Sequence, residues 1–168
     1  RQLGAVFSDY DQDGDADLYI ANDTKPNWLF RNDGETGFTE VGLTSGVAVN
    51  PEARPEARMG TDWGDYDRDG LMDIIVCNFQ WESCRLLANQ GDGFFDDRTF
   101  LAGLGEPTYS TLTFGTDFLD YDNDGDLDIY VTHFSNDYNT LYRNEGARSF
   151  LDVSYLAGTA EVSLPFVG

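Results

Sequence analysis

Short apolar stretches recur along the chain, each about four to six residues long and bounded by polar turns. Leu18-Tyr19-Ile20-Ala21, Ile74-Ile75-Val76-Cys77 and Ile129-Tyr130-Val131-Thr132 are rich in β-branched and aromatic side chains, the composition of strands. Another stretch precedes each of these, as in Met59 to Gly64 and Phe114 to Leu119. Two more follow, around Trp28-Leu29-Phe30 and Phe38-Thr39-Glu40-Val41 in the first case. Asn32-Asp33-Gly34 predicts a tight hairpin turn, because both central positions tolerate positive φ. No apolar period of 3.6 residues is sustained anywhere, so the pattern predicts an all-β fold of short antiparallel strands, four to a unit.

The units repeat. Nine-residue windows D-Y-D-Q-D-G-D-A-D, D-Y-D-R-D-G-L-M-D and D-Y-D-N-D-G-D-L-D begin at Asp9, Asp65 and Asp120, 56 and then 55 residues apart. A glycine stands five residues before each window (Gly4, Gly60, Gly115) and an asparagine follows (Asn32, Asn89, Asn144). Around each asparagine, leucine lies three residues before and phenylalanine six after, as Leu29 and Phe38, Leu86 and Phe95, Leu141 and Phe150. Such a period marks a repeat architecture, and four strands per repeat fit a β-propeller blade better than a stacked solenoid. The expected division is one repeat domain over 1–168, with blades at 1–56, 57–111 and 112–168. Propellers close with typically ~4–8 blades, so three would belong to a larger propeller or be completed by other copies. No basic and apolar leader is read at the start, and a chain that opens at Arg1 rather than at a methionine is expected to be either processed or a piece of something longer. Ser163 to Gly168 reads as a linker entering a further unit.

Charge changes the picture next. The 168 residues carry 31 acidic and 10 basic side chains, a formal charge of −21. That excludes a nucleic-acid backbone binder, which needs a basic face. A content of 40% apolar and 14% aromatic residues excludes a disordered chain, and no run of ~18 apolar residues predicts a transmembrane helix. Of the 23 aspartates, 14 lie inside the three windows, so the acid is placed rather than spread.

In the first window Asp9, Asp11, Asp13 and Asp17 occupy positions 1, 3, 5 and 9, with Gly14 at position 6 for the bend. At ~4 Å and an effective dielectric of ~20, each like-charged pair costs about 4 kcal/mol. Four carboxylates make six pairs, and even one or two of them at that distance are a sizeable fraction of a domain's ~5–15 kcal/mol stability. A hard divalent cation relieves that repulsion, and calcium, with six to eight oxygens in flexible geometry, suits the donor set better than magnesium. An EF-hand begins with the same spacing but needs a glutamate at position 12 between helices. Position 12 here is Ile20, Val76 or Val131, each in a predicted strand. The closing ligand is therefore expected at position 9. Position 7 is Asp15, Leu71 or Asp126, and the acceptance of leucine points to its backbone carbonyl. Three calcium sites are expected: Asp9, Asp11, Asp13, Asp15 and Asp17; Asp65, Asp67, Asp69, Leu71 and Asp73; Asp120, Asp122, Asp124, Asp126 and Asp128.

The pattern Gly-x-x-x-x-Asp-Tyr-Asp-x-Asp-Gly-x-x-Asp followed by a strand resembles the FG-GAP/VCBS repeat of calcium-binding propellers. Ala21-Asn22-Asp23-Thr24, Leu29 to Gly34 and Leu141-Tyr142-Arg143-Asn144 resemble its ASPIC/UnbV, cartilage-acidic-protein-like branch of secreted proteins. The resemblance covers essentially the whole chain. It implies seven blades in full-length relatives, with calcium held in the hairpin loop between the first two strands of a blade by the carboxylates of positions 1, 3, 5 and 9. Ala88 replaces the arginine of Arg31 and Arg143, and Leu71-Met72 depart in the second loop, but neither removes a carboxylate.

Other residues carry less. Cys77 and Cys84 flank a short hairpin and are either a cross-strand disulfide or two small buried hydrophobes. His133, the one histidine, shares the slot of Asn22 and Asn78 and reads as a polar strand end. Asp62 and Asp117 share a slot with Val6 and read as strand-face groups or supports of the acidic loops. Asn22-Asp23-Thr24 is a glycosylation triplet by pattern. Trp28, Trp63 and Trp81 are expected in packing between blades, Trp81, at a hairpin tip, being the one most open to an exposed contact. No serine–histidine pair, phosphate-cradling loop or histidine cluster is seen, so the expected function is non-catalytic. It is an extracellular calcium-binding module for adhesion or for protein or glycan binding. A self-assembling ring or fibre, or a lyase or glycosidase on a propeller scaffold, are the alternatives.

Overall fold

Twelve strands, paired into three four-stranded antiparallel sheets, make up the described residues of a computed structural model, which are 2–134, 137–146 and 149–160. The first sheet is β1 (Gln2–Ser8), β2 (Asp17–Asn22), β3 (Trp28–Asn32) and β4 (Phe38–Glu40). The second is β5 (Arg58–Gly64), β6 (Asp73–Asn78), β7 (Arg85–Asn89) and β8 (Phe95–Asp97). The third is β9 (Thr113–Leu119), β10 (Asp128–His133), β11 (Thr140–Asn144) and β12 (Phe150–Asp152). Strands neighbour one another in sequence order in every sheet, the meander of a propeller blade. Two short helices, α1 (Gly105–Tyr109) and α2 (Ser154–Ala157), and a 3-10 turn at Gly34–Thr36 fill connections. They are too short for a periodic apolar signal. No described helix is long and apolar enough to cross a membrane. The linker expected at Ser163 to Gly168 lies outside the described residues.

Two apolar layers hold the sheets face to face. Between the first and second lie Tyr10, Tyr19, Ala21, Leu29 and Val47 on one side and Trp63, Ile74, Val76, Leu87 and Phe95 on the other. Between the second and third, Tyr66, Ile75, Cys77, Leu86 and Leu104 meet Phe118, Ile129, Val131, Tyr142 and Phe150. Burying each large side chain contributes on the order of 1.5–3 kcal/mol, so these layers are the principal source of stability. The same slots therefore do the same job in successive sheets. In the first sheet the five corresponding slots are Phe7, Leu18, Ile20, Phe30 and Phe38, and neither apolar layer includes them. Phe7 and Phe38 are 64% and 54% exposed, whereas Trp63 and Phe95 in the same slots are 7% and 8% exposed. Trp28, expected between blades, lies on this uncovered side and packs edge-on against its own sheet's Phe30.

The periodic glycines have a steric cause. A Cβ at Gly4 would lie 2.8 Å from the Met59 carbonyl oxygen, and one at Gly60 would lie 2.6 Å from that of Phe114. First strands of adjacent sheets thus approach backbone to backbone, and a register shift accompanies the glycine in each sheet. Hydrogen bonds repeat across the interfaces. Phe95 N–H donates to Ser45 O and Phe150 N–H to Ala102 O, both at 2.9 Å. Asp62 also spans one, its Oδ2 accepting from Phe118 N–H at 2.9 Å; it ties two sheets rather than supporting an acidic loop.

The turn at Asn32-Asp33-Gly34 differs from the expectation. Asp33 has φ −97° and only Gly34 is positive, at 60°. The hairpin closes through a longer loop in which Asp33 N–H donates to Gly37 O at 2.8 Å, because Asn32 Oδ1 captures the Gly34 N–H.

Candidate metal centres

Each acidic window connects the first and second strands of its sheet. Its shape is fixed by five backbone-to-carboxylate hydrogen bonds that recur in all three copies. The position-1 aspartate accepts from the N–H groups of positions 5 and 6: Asp9 from Asp13 and Gly14, Asp65 from Asp69 and Gly70, Asp120 from Asp124 and Gly125, at 3.0 to 3.2 Å. The position-5 carboxylate accepts from position 7 at 2.8 to 2.9 Å. The position-9 carboxylate accepts from position 2 and from the distant asparagine. Asp17 takes the N–H groups of Tyr10 and Asn32, Asp73 those of Tyr66 and Asn89, and Asp128 those of Tyr121 and Asn144. Glycine is needed at position 6, where φ is 97°, 89° and 89° at Gly14, Gly70 and Gly125. Position 4 is also left-handed, with Gln12, Arg68 and Asn123 at φ 58° to 61°.

These bonds turn the carboxylates toward one another. Oxygens of Asp9, Asp11 and Asp13 lie within 4.8 Å of each other, as do those of Asp65, Asp67 and Asp73 and those of Asp120, Asp122 and Asp128. Oxygens bound at ~2.3–2.6 Å to one calcium ion are separated by no more than about twice that, so each trio fits a single ion. The trios differ in membership: Asp17 stands outside the first, Asp69 and Asp124 outside the others. Position 7 turns its side chain away. A Cβ at Gly34 would meet Asp15 Oδ2 at 3.2 Å, one at Gly91 would meet Leu71 Cδ1 at 3.2 Å, and Asp126 is ion-paired with Arg68.

The position-9 carboxylates are the most deeply set: Asp17, Asp73 and Asp128 are at most 1% exposed. Burial pushes all three up in pKa against the pull of their backbone donors, and Asp73 reaches about 7. Asp11 is also raised, by burial and then by the charge of Asp13. A positive charge at the centre of each trio would remove this penalty.

The asparagines do more than close the loop. Asn89 Nδ2 donates to Met72 O and to Tyr10 O of the preceding sheet, and Asn144 Nδ2 to Leu127 O and Tyr66 O. Gln12 Nε2 donates to Gly70 O and Arg68 pairs with Asp126, so adjacent acidic loops are chained. The asparagine period is visible in the sequence; its double role is not. Asn22, the glycosylation candidate, is 3% exposed and its Nδ2 donates to Pro26 O at 2.8 Å, so the folded chain does not present it. Cys77 and Cys84 form a disulfide. His133 ends β10, its N–H donating to Asn139 Oδ1.

A model of the FG-GAP-like repeat matches residues 9–76 and 65–131, each match running from one acidic loop through the second strand of the next sheet. Cartilage acidic protein 1 of Xenopus tropicalis is 26% identical over 155 residues, which are 90% of this chain and 21% of that protein. The Homo sapiens protein of the same name is 27% identical over 134 residues, 76% of this chain and 19% of that one. The chain thus spans about a fifth of these relatives. Among solved structures, a lectin of Agrocybe aegerita, described as recognising non-reducing terminal N-acetylglucosamine, superposes with a TM-score of 0.51 at 21% identity. The match covers 88% of this chain and 36% of that one. The likeness is one of fold.

Proposed function

The chain belongs to the FG-GAP-like repeat family, and from that premise we propose that it is a calcium-binding segment of an extracellular β-propeller, a non-catalytic module that engages a protein or glycan partner. The single observation that carries the calcium reading is the threefold recurrence of one hydrogen-bond scheme around oxygen-only donors. Hard oxygen ligands in a flexible loop suit calcium. Asp9, Asp11, Asp13 and Asp17, with the carbonyl of Asp15, would hold the first ion. Asp65, Asp67, Asp69 and Asp73 with the carbonyl of Leu71 would hold the second, and Asp120, Asp122, Asp124 and Asp128 with the carbonyl of Asp126 the third. The ion supplies positive charge; the chain supplies the geometry. Three divalent ions bring the formal charge from −21 to −15, still acidic enough to favour basic or cation-bridged partners.

On this reading the blades divide after residues 56 and 111, and the uncovered face of the first blade is completed by further blades of the same kind, in keeping with relatives about five times as long. A second copy covering that face head to tail is the other arrangement it supports. The disulfide favours an oxidising, extracellular setting. Against a hydrolase, the buried Glu56 carboxylate accepts from Arg58, Arg85, Asn50 and Asn78, which leaves it no capacity to act as base or nucleophile.

Thermal melting with millimolar calcium and with EGTA tests the reading. Chelation is expected to lower the melting temperature by more than about ten degrees, since binding free energy adds to folding free energy. Coincident curves would remove calcium from the structure's support.

A further inference from the structure

The ends of the strands opposite the acidic loops carry a cleft of about 640 Å³. Its walls come from three segments: the connection before β5, the β6–β7 hairpin and the region around α1. Its floor is an ion network out of register with the repeat. Arg58 stands where the other sheets have Gln2 and Thr113, and Arg85 where they have Trp28 and Thr140. Glu56, 4% exposed, lies between the two guanidinium groups, 3.0 Å from Arg58 Nη2 and 3.1 Å from Arg85 Nε, and Arg85 Nη1 reaches Asp97 at 3.3 Å.

Above that floor the rim is aromatic. Trp81 is 61% exposed, and its ring meets Tyr109 edge to face at 5.9 Å; Phe100 is exposed on the same cleft. Trp81 is held there against its own preference. It has φ 72°, in the left-handed region that side chains other than glycine rarely adopt. Its N–H donates to Tyr109 O at 2.8 Å, Gln80 Nε2 reaches Ser110 O, Glu82 accepts from Ala57 N–H at 2.7 Å, and the Cys77–Cys84 bond closes the hairpin. So much anchoring for an indole that enters no core fits a ligand-facing role.

We propose that this cleft is a carbohydrate subsite, taking a neutral pyranose whose C–H face lies on Trp81 and whose hydroxyls bond to Glu82, Glu52 and Arg54. The inference deepens the reading of the chain as a binding module and rests on it. The charges select the ligand. Glu52 and Glu82 at the rim of a chain with net charge −21 repel uronic or sulfated sugars. Arg54 in the same wall sets a like charge beside the three aromatic rings that would otherwise suit a cationic guest, while Arg85 is held by Glu56 and Asp97. A neutral polyol with one apolar face satisfies both the planar polar groups and the rings.

Nuclear magnetic resonance on the whole chain tests this. The three tryptophans give three indole N–H signals, and the one missing from Trp81→Ala identifies Trp81. N-acetylglucosamine and the methyl glycosides of glucose, galactose and mannose are titrated at millimolar concentration, with glucuronic acid as the anionic counterpart. At least one neutral sugar is expected to move the Trp81 signal saturably, and glucuronic acid to leave it in place. Saturation transfer to that sugar should fall roughly tenfold or more in Trp81→Ala and stay unchanged in Trp28→Ala. Glu82→Gln, which keeps the acceptor for Ala57, should weaken binding too and serves if Trp81→Ala does not fold. A still Trp81 signal with every neutral sugar, equal binding of glucuronic acid, or sugar binding that survives both variants overturns the cleft assignment. In the last case the binding-module reading stands, and the calcium melting curves judge it separately.

Discussion

Asp73 concentrates the electrostatic cost of an acidic loop in one carboxylate. Burial raises it to about 7, whereas an aspartate in the unfolded chain titrates near ~3.9. Between about pH 4 and 7 the folded chain therefore holds a proton that the unfolded chain has lost, and stability falls as pH rises through that window. In EGTA the melting temperature should be higher at about pH 5.5 than at 7.5. With millimolar calcium the order should reverse, because protons then compete with the ion. The same order in both conditions would show that Asp73 is not where ion and proton meet. Glu56 shifts the other way. Burial alone would raise it, but the hydrogen bond from Arg85 and the charges of Arg58 and Arg85 outweigh burial and hold it below the ordinary value. Its contribution is lost only as pH falls through that lowered value, below the Asp73 window. Glu56→Gln would take from the buried Arg58 its ion-pair partner and leave Arg85 with Asp97, and should cost about 3–5 kcal/mol by denaturant unfolding; a loss under about 1 kcal/mol would mean that the network is not what holds the second sheet's end.

Gly60 shows how an element's position can depend on an absent side chain. A Cβ there would meet Phe114 O at 2.6 Å and Gly115 Cα at 2.8 Å, both backbone atoms of β9, so neither can swing aside. Gly60→Ala should destabilise by about 1–3 kcal/mol without altering calcium stoichiometry. Wild-type stability would mean the two strands can separate freely. The strands themselves are legible in the sequence, because a strand packed on both faces takes a short run of apolar and β-branched residues: Ile74 and Val76 face one neighbour, Ile75 and Cys77 the other. The Gly4, Gly60, Gly115 period is legible as a pattern but not as a cause, since the backbone atoms that Gly4 and Gly60 avoid belong to another sheet, whereas a Cβ at Gly115 would meet Thr132 Oγ1 of its own. The Asn32-Asp33-Gly34 turn was predictable only as a turn. Its form depends on Asn32 Oδ1, and the Asn32 backbone is itself held by Asp17 fifteen residues earlier.

For the whole molecule, repetition decides what can be read. Three copies of one loop at a spacing of 56 and 55 residues make the candidate ligands legible before any coordinates. The cleft is not, because Glu56, Arg58, Trp81 and Arg85 belong to what the copies do not share; the only trace in sequence is charge in slots that are neutral elsewhere. Chaining of adjacent loops through Gln12, Arg68, Asn89 and Asn144 lets one filled loop brace the next, so the three ions and the stack of sheets are expected to act as one unit. Calorimetric titration of the calcium-free chain with calcium tests this most directly. Three ions per chain are expected, falling to two when Asp65 and Asp67 are both replaced by asparagine. No saturable uptake, or uptake of three ions that persists when Asp9, Asp65 and Asp120 are all replaced, would contradict calcium as the ion these loops are built to hold.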